Sequence, residues 1–269
     1  MSAGGRAHIP EGGKEMNDER NTKPVTLLLV ALLVTGGGPA APRRMAGDAE
    51  FARLEYDRSE GVYDSARAVA PDSAQYLWRL ARLYVCVGDM AERDKKEETY
   101  RKAVAFAGRC IQADSNIAGG HTWKAAALGN IAMFEGSKGK VRLCNEIKQE
   151  LDHALDLDSL DDVAYSIMGS FYLALGKVSW IERQLASVFL GSLPDGGFEE
   201  AEAALRRAIA IAPGIVRHRF ELALVLKEEG KTADAIASFR MAAELPTTVA
   251  SDPRTKERAL RMARKLEEE

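Results

Sequence analysis

The stretch that decides the fold is VRHRFELALVLKEEGKTADAIASFRMAAELP, at residues 216–246. It contains two apolar stripes at helical spacing, which are separated by Gly230 and ended by Pro246. Large and small residues alternate along each stripe, and this lets two antiparallel helices nest because the small residue admits the neighbour's bulk. The stretch therefore predicts a helical hairpin. Its stripes are Leu222, Ala223 and Leu226 in the first helix and Ala235, Phe239 and Ala242 in the second.

The same hairpin pattern recurs upstream. In five turns an apolar helix end is followed by Pro or Asp, which can stop one helix and cap the next. Pro213 and Pro246 are separated by about one tetratricopeptide period of about 34 residues. The pattern predicts an all-α fold, a tetratricopeptide-like right-handed α-solenoid of about four helix pairs with an inserted helix and terminal capping helices. The turns lie at residues 70–73, 113–116, 157–160, 212–214 and 245–247.

The earlier repeats are longer than this period, and their extra residues can be located in the sequence. In the first repeat a Lys- and Glu-rich stretch at residues 89–99 is expected between the two helices. In the third, residues 177–196 have their own apolar period and predict an additional helix packed on the array. Residues 49–69 predict an entering helix, and the charged residues 254–268 predict a solvated capping helix. The total is about eleven helices.

Composition favours a helical core without a dominant charge. Apolar residues make up 46% of the 269 positions, and the net charge is -3, so a broad nucleic-acid footprint has no support. The three cysteines, Cys86, Cys110 and Cys144, are widely spaced, which argues against a disulfide framework or a metal site. We expect buried thiols and no cofactor. If the protein is exported, a Cys86–Cys110 bridge is an alternative.

The amino-terminal 47 residues are a separate segment. VTLLLVALLV at residues 25–34 is too short to cross a bilayer, which needs about 20 residues, but it fits the apolar part of a signal peptide. Gly38 and Ala40 offer a cleavage point, although acidic residues precede the run and Arg43 and Arg44 follow it. Residues 1–47 therefore predict a signal peptide or short membrane anchor, otherwise disordered, with a buried helix as an alternative; residues 48–269 form the repeat domain. The expected location is exported, periplasmic or secreted, with membrane anchoring through an uncleaved leader or a cytoplasmic location as alternatives.

Catalytic and metal motifs have little support. The sequence contains no HExxH, no GxSxG and no pair of histidines four residues apart. The acidic residues at 156–162 lack the glycine and glutamate of a calcium loop and fall at a turn where Asp caps helices. The Gly- and Lys-containing turn at residues 136–140 lacks the first glycine of a phosphate loop. We therefore predict a protein that is not an enzyme and binds no metal.

Two tryptophans and their charged neighbours are candidate ligand contacts. Trp123 and Trp180 could stack on an acyl chain or a peptide side chain, or fill space between alanine-rich helices. Glu182 and Arg183 adjoin Trp180 and could pair with Lys124 or with a ligand head group. The alternative is a structural or solvated salt bridge.

Arg217 and Arg219 open the repeat at residues 216–246. Positive charge near the start of a helix opposes the helix dipole, so these side chains, with His218 between them, are candidates to face an acidic partner or a phosphate. Ordinary surface charge is the alternative. The predicted function is a non-catalytic binding or scaffold module whose concave groove binds a peptide or partner protein, with Lys124, Arg217 or Arg219 contacting an acidic group.

An ordered set of motifs extends this interpretation. His121-Thr122-Trp123 is followed by apolar helical segments, a Ser-Trp-Ile-Glu insert and a closing helix pair. Together they resemble the regulator of microtubule dynamics family over residues 80–246. The resemblance implies microtubule association, as in eukaryotic members, and phospholipid binding inside the helical domain as an alternative function. The leader indicates a bacterial member, for which tubulin is not available. The segments after His121-Thr122-Trp123 that carry the resemblance are residues 147–157, 164–169, 178–183, 200–214 and 230–246.

Overall fold

The computed structural model describes residues 45–189 and 191–269, with only the backbone of Trp180 and Phe189. Within these ranges the chain forms twelve α-helices and no strand. The predicted leader run at residues 25–34 lies outside the described residues. The helices are α1 (Asp48–Ala52), α2 (Tyr56–Val69), α3 (Ala74–Met90), α4 (Arg93–Ala113), α5 (Ala118–Ile131), α6 (Ser137–Leu157), α7 (Asp162–Gly176), α8 (Trp180–Phe189), α9 (Phe198–Ile211), α10 (Val216–Glu228), α11 (Thr232–Glu244) and α12 (Asp252–Glu268).

Four hairpins form the body of the protein and confirm the predicted solenoid. They are α3–α4, α5–α6, α7–α9 and α10–α11, and each packs on the next in chain order. The first helices α3, α5, α7 and α10, and then α12, also contact one another in succession, whereas no comparable approach joins consecutive second helices in the described ranges. Because the more closely spaced layer of a curved stack lies on its inner side, the first helices form the concave layer.

Small residues allow the two helices of a hairpin to pack closely. Gly169 in α7 lies directly against Leu205 in α9, and a Cβ atom at position 169 would overlap the Leu205 side chain. Ala201 and Ala208 continue the same seam, and both are fully buried. In the hairpin α10–α11, Phe220 and Phe239 pack with ring centroids 5.6 Å apart. The seams therefore have the large–small alternation that the sequence predicts.

Two helix boundaries differ from the predicted ones. The predicted entering helix at residues 49–69 is helical over most of its length but is not continuous, because the chain breaks between α1 and α2, where Leu54 adopts a left-handed φ of 64°. The Lys- and Glu-rich stretch at residues 89–99 is not an insertion between helices. Most of it forms the first turns of α4, which extends over 21 residues. The excess length of the first repeat is therefore additional helix.

The inserted helix α8 and the terminal helix α12 are each buried on one side and exposed on the other. The prediction of a helix within residues 177–196 is confirmed by α8, whose Ala186 is buried, while Ile181, Leu185 and Val188 are exposed. Helix α12 is less solvated than predicted. Its Ala259 and Ala263 are buried in the core that surrounds Phe220, so only its charged face meets solvent.

The structure also shows the state of the three cysteines and the length of the apolar helices. Cys86 and Cys110 are buried and free, so the alternative of a bridge between them is wrong, whereas Cys144 is half-buried and free. No helix in the described part of the chain is long and apolar enough to span a bilayer.

The two ends of the array meet. The turn between α11 and α12 packs Val249 against the buried cluster of Phe51, Tyr63 and Leu80. From the first turn of α12, Arg254 donates a hydrogen bond of 3.4 Å to the carbonyl oxygen of Asp89, next to the end of α3. The turn before α12 and the start of α12 thereby contact the first helices of the stack.

Candidate binding groove

The concave layer carries four of the predicted site residues. Trp123 and Lys124 lie on α5, and Arg217 and Arg219 lie on α10. The other three, Trp180, Glu182 and Arg183, lie on α8, outside the four hairpins. The structure thus divides the predicted set between the first-helix layer and the insert.

Trp123 packs as part of the core. It is half-buried against Val85, Ala103 and Ala127, which belong to α3, α4 and α5. An indole in this position fills the space between two successive hairpins. The side chain of Trp180 is outside the described part of the structure.

Lys124 is already paired within the protein. Its ammonium nitrogen lies 2.7 Å from a Glu150 carboxylate oxygen and 3.0 Å from one of Glu146. Burial alone would lower the pKa of Lys124, but the two carboxylates outweigh burial and raise it. Lys124 therefore joins α5 to α6, and an acidic ligand would have to compete with both carboxylates. Its partner is not Glu182.

Glu182 and Arg183 order the ends of α8. A Glu182 carboxylate oxygen accepts hydrogen bonds from the backbone N–H and the hydroxyl of Ser179, which holds the start of the helix. Arg183 donates to the carbonyl oxygens of Pro194 at 2.9 Å and Leu175 at 3.3 Å. Arg183 therefore ties the insert to the end of α7.

The three residues that open α10 face different surroundings. Arg217 is exposed, Arg219 is half-buried, and His218 is buried with its Nε2 atom 2.8 Å from a carboxylate oxygen of Asp162. Arg217 acts on residues of the first hairpin. Burial raises the pKa of the Cys86 thiol to about 12, and Arg217 is among the charges that oppose this rise. The positive charge of Arg217 in α10 thus acts on the pKa of a thiol in α3.

Cationic side chains from two helices meet at the end of α3, and the charge of Arg217 acts on residues beside them. Lys96 of α4 donates to the carbonyl oxygen of Asp89 at 3.0 Å, and Arg254 of α12 donates to the same oxygen. The Asp89 carboxylate accepts a hydrogen bond of 2.8 Å from the hydroxyl of Tyr100. Burial raises the pKa of Tyr100, and Arg217 is among the charges that oppose it. We call Lys96, Arg217 and Arg254 the basic cluster.

Two side-chain clusters in the structure are not predicted from the sequence. Asp48 accepts hydrogen bonds from Tyr63, Arg79 and Arg82, which join α1 to α2 and α3. His121 and His153, on neighbouring helices, lie around Glu150. Histidine spacing along one helix does not reveal this pair, because His121 and His153 lie on two different helices. The spacing of Glu150 and His153 did indicate that these two side chains share one face of α6.

Two open hollows lie among the described residues. A hollow of about 340 Å³ opens between α4, α5 and α6, lined in part by Val104, Ile131 and Arg142. A second, of about 330 Å³, lies beside the break between α1 and α2. Both are at the lower end of the volume that small-molecule sites usually have, about 300–1,000 Å³.

A stack of helical hairpins whose first helices form one concave layer defines a tetratricopeptide-like repeat protein. Among solved structures, a thermophilic TPR protein from Thermus thermophilus has the same fold, with a TM-score of 0.58 and 19% identity, covering 80% of this chain and 95% of that chain. Residues 47–267 match the family described as Regulator of microtubule dynamics protein 1-3, and the chain belongs to this family.

Curated relatives agree with this assignment. Regulator of microtubule dynamics protein 1 of Bos taurus is 28% identical over 145 residues, which are 53% of this chain and 45% of the relative. Regulator of microtubule dynamics protein 2 of Homo sapiens is 25% identical over 183 residues, 67% of this chain and 45% of the relative. The matched regions thus span less than half the length of these relatives.

Proposed function

We propose that the protein is a non-catalytic scaffold that binds an acidic segment of a partner protein on its concave layer. The observation that carries this proposal is the basic cluster. Lys96 and Arg254, from two different helices, donate to the backbone oxygen of Asp89 at the end of α3. The charge of Arg217, from a third helix, acts on Tyr100, which is hydrogen-bonded to the Asp89 carboxylate. An excess of positive charge on a repeat surface favours an acidic peptide.

The arrangement gives Arg217 a particular role. Lys96 and Arg254 already donate to a backbone carbonyl, whereas Arg217 is exposed. A guanidinium can donate two parallel hydrogen bonds to a carboxylate, which adds orientation to affinity. Arg217 would therefore contact the ligand directly, and Lys96 and Arg254 would supply background charge.

Site-specific photo-crosslinking tests the proposal. A photoreactive amino acid replaces Arg217 in the concave layer or, as the control, exposed Arg240 in second helix α11. We expect one protein to crosslink at position 217 and not at 240, and we expect Arg217→Glu to weaken binding of that purified protein by about tenfold or more. The same products from both positions, or equal affinity of the Arg217→Glu variant, would contradict the proposal.

Phospholipid or another amphiphile is the alternative ligand. Exposed Ile181, Leu185 and Val188 recur along one side of α8 and support this alternative, because an acyl chain could cover them. Lipid co-purifying at one molecule per chain, together with lipid crosslinks at position 217, would favour it. The names of the relatives suggest microtubules as a further partner, and co-sedimentation with assembled tubulin tests this.

We also propose that the protein is exported, on the basis of the apolar run at residues 25–34. Amino-terminal sequencing of the mature chain tests this. A new terminus near Ala40 would agree with a cleaved signal peptide, and an intact leader in a membrane fraction would favour the anchor.

A further inference from the structure

The side chains of His121, Glu150 and His153 offer three metal-binding atoms that all lie within 4.8 Å of one another. His121 comes from the first turn of α5, and Glu150 and His153 lie three residues apart on α6, so both face the same neighbouring helix. The rings of His121 and His153 meet edge to face, with centroids 5.4 Å apart. Two imidazole nitrogens and one carboxylate oxygen are a ligand set that divalent transition ions use.

Both ring nitrogens of His121 have a neighbour in the protein. The Nε2 atom lies 3.1 Å from the carbonyl oxygen of Ser115, which can only accept, so Nε2 carries a hydrogen. The Nδ1 atom then faces a carboxylate oxygen of Glu150 at 2.6 Å. With Nε2 bound to Ser115, Nδ1 is the ring nitrogen that can coordinate an ion together with Glu150.

We propose that this cluster is a binding site for a divalent transition ion such as Zn²⁺, with His121 Nδ1, Glu150 and His153 as ligands. The surrounding contacts match those that support metal ligands elsewhere. A metal-bound histidine usually donates its second N–H to a backbone carbonyl, as His121 does to Ser115, and a bound carboxylate is itself hydrogen-bonded, as Glu150 is to Lys124. Ser115 and Lys124 thus orient two of the ligands without touching the ion themselves.

Charge and access also suit a cation. Glu146 and Glu150 together outweigh Lys124 by one negative charge, so a divalent ion meets an attractive field. Atoms around a tetrahedral zinc ion are about 3.3 Å apart, so His121 and Glu150 need to separate by less than an ångström. His153 is exposed and can rotate towards the ion. A three-ligand site of this kind keeps a position open for water or an external ligand.

A zinc titration of the full chain, produced without a polyhistidine tag and followed with a competing chromophoric chelator, tests the site. We expect one Zn²⁺ per chain. His153→Ala and Glu150→Gln should each weaken binding by about tenfold or more, since loss of supporting contacts alone costs 10–100-fold. Gln149→Ala, an exposed change on the same helix, is the matched control and should leave the affinity unchanged. Circular dichroism checks that each variant is folded.

X-ray absorption at the zinc edge identifies the ligands. Nitrogen and oxygen atoms at about 2.0–2.1 Å with imidazole scattering would agree with the proposal, whereas sulfur at about 2.3 Å would assign the ion to a cysteine. Absence of binding to the wild type, or unchanged affinity in His153→Ala, would also overturn the proposal. The contact between His121 and Glu150 would then serve only to join α5 to α6.

Discussion

The phenolic oxygen of Tyr56 accepts a hydrogen bond of 3.1 Å from the backbone N–H of Ala250, and the two residues are 194 positions apart in the sequence. Repeat arrays usually make contacts only between neighbouring repeats. Here the turn between α11 and α12 returns to α2 and α3, where Val249 joins a cluster that includes Phe51 and Tyr63. The ends of the stack are therefore coupled, and a ligand on the concave layer would lie beside this contact.

Removing the Tyr56 hydroxyl should loosen this contact without unfolding the protein. Tyr56→Phe leaves the Ala250 N–H without its acceptor, at a cost of about 0.5–1.5 kcal/mol. We expect amide exchange at residues 245–252 to accelerate by about 2- to 10-fold and the other helices to be unaffected. Tyr76→Phe, in the same apolar cluster, is the control, since the structure shows no hydrogen bond from that hydroxyl among the described residues. Equal exchange in both variants would mean that the hydrogen bond does not hold the ends together.

Asp48 should be the most costly single acidic residue to neutralise. It pairs with Arg79, whose side chain is only 1% exposed, and with Arg82, so its neutralisation would remove a carboxylate charge shared by two cations, one of them buried. We expect Asp48→Asn to lower the free energy of unfolding by about 3 kcal/mol, at the low end for a broken buried pair because Asn keeps one acceptor oxygen. Urea denaturation at pH 7 measures this.

The Asp48 effect should depend on pH. Burial alone would raise the pKa of Asp48, but hydrogen bonds from Arg79, the Met45 N–H and Tyr63 outweigh burial and lower it below its usual 3.8. An acid whose pKa is lower in the folded state contributes stability above its unfolded pKa and loses it as the pH falls. The difference between wild type and Asp48→Asn should be full at pH 7 and shrink below about pH 4. A difference that is constant down to pH 3 would contradict this assignment.

Asp161 should behave in the opposite way. Burial is the largest influence on its carboxyl group and raises its pKa, despite hydrogen bonds from Thr122 and the Ala164 N–H. The ionised form is therefore penalised in the folded state, and a neutral residue with the same capping oxygen should be tolerated. We expect Asp161→Asn to change the free energy of unfolding by less than about 1 kcal/mol, and Asp161→Ala to lower it by about 1–2 kcal/mol through loss of the cap of α7. Urea denaturation of the two variants at pH 7 compares these effects, and an Asn variant as unstable as the Ala variant would contradict the argument.

The sequence contains the hairpins but not their long-range contacts. The stripes around Leu222 and Phe239 predict packed helices because helical spacing and side-chain size are local properties. The break at Leu54 is not predictable in this way, since an apolar residue with positive φ is held there by its surroundings. The convergence of Arg254 on Asp89 depends on the curvature of the stack, and that of His121 on Glu150 depends on how α5 and α6 are aligned within their hairpin. No local pattern specifies either.

The close approach of α7 and α9 predicts that two glycines respond oppositely to the same change. Gly169→Ala forces a Cβ atom into the buried Leu205 side chain, and we expect a loss of about 1–2 kcal/mol after the gain in helix propensity is included. Gly129 is exposed on α5 with no atom near its added Cβ, so Gly129→Ala should stabilise the protein by about 0.5–1 kcal/mol. Thermal and urea unfolding measure both, and a stabilising Gly169→Ala would refute the tight seam.

The three cysteines should react in an order set by their burial. Burial raises the pKa of both Cys86 and Cys110 to about 12, so at pH 8 both remain in the unreactive thiol form. Cys144 is half-buried, and although burial raises its pKa too, it is the most accessible of the three. We expect a maleimide reagent to label Cys144 first in the native protein, as mass spectrometry of tryptic peptides would show. In 6 M guanidinium without reductant all three thiols should be labelled, because none is in a disulfide. Labelling of Cys144 alone in denaturant would reveal a Cys86–Cys110 bridge and contradict the structure.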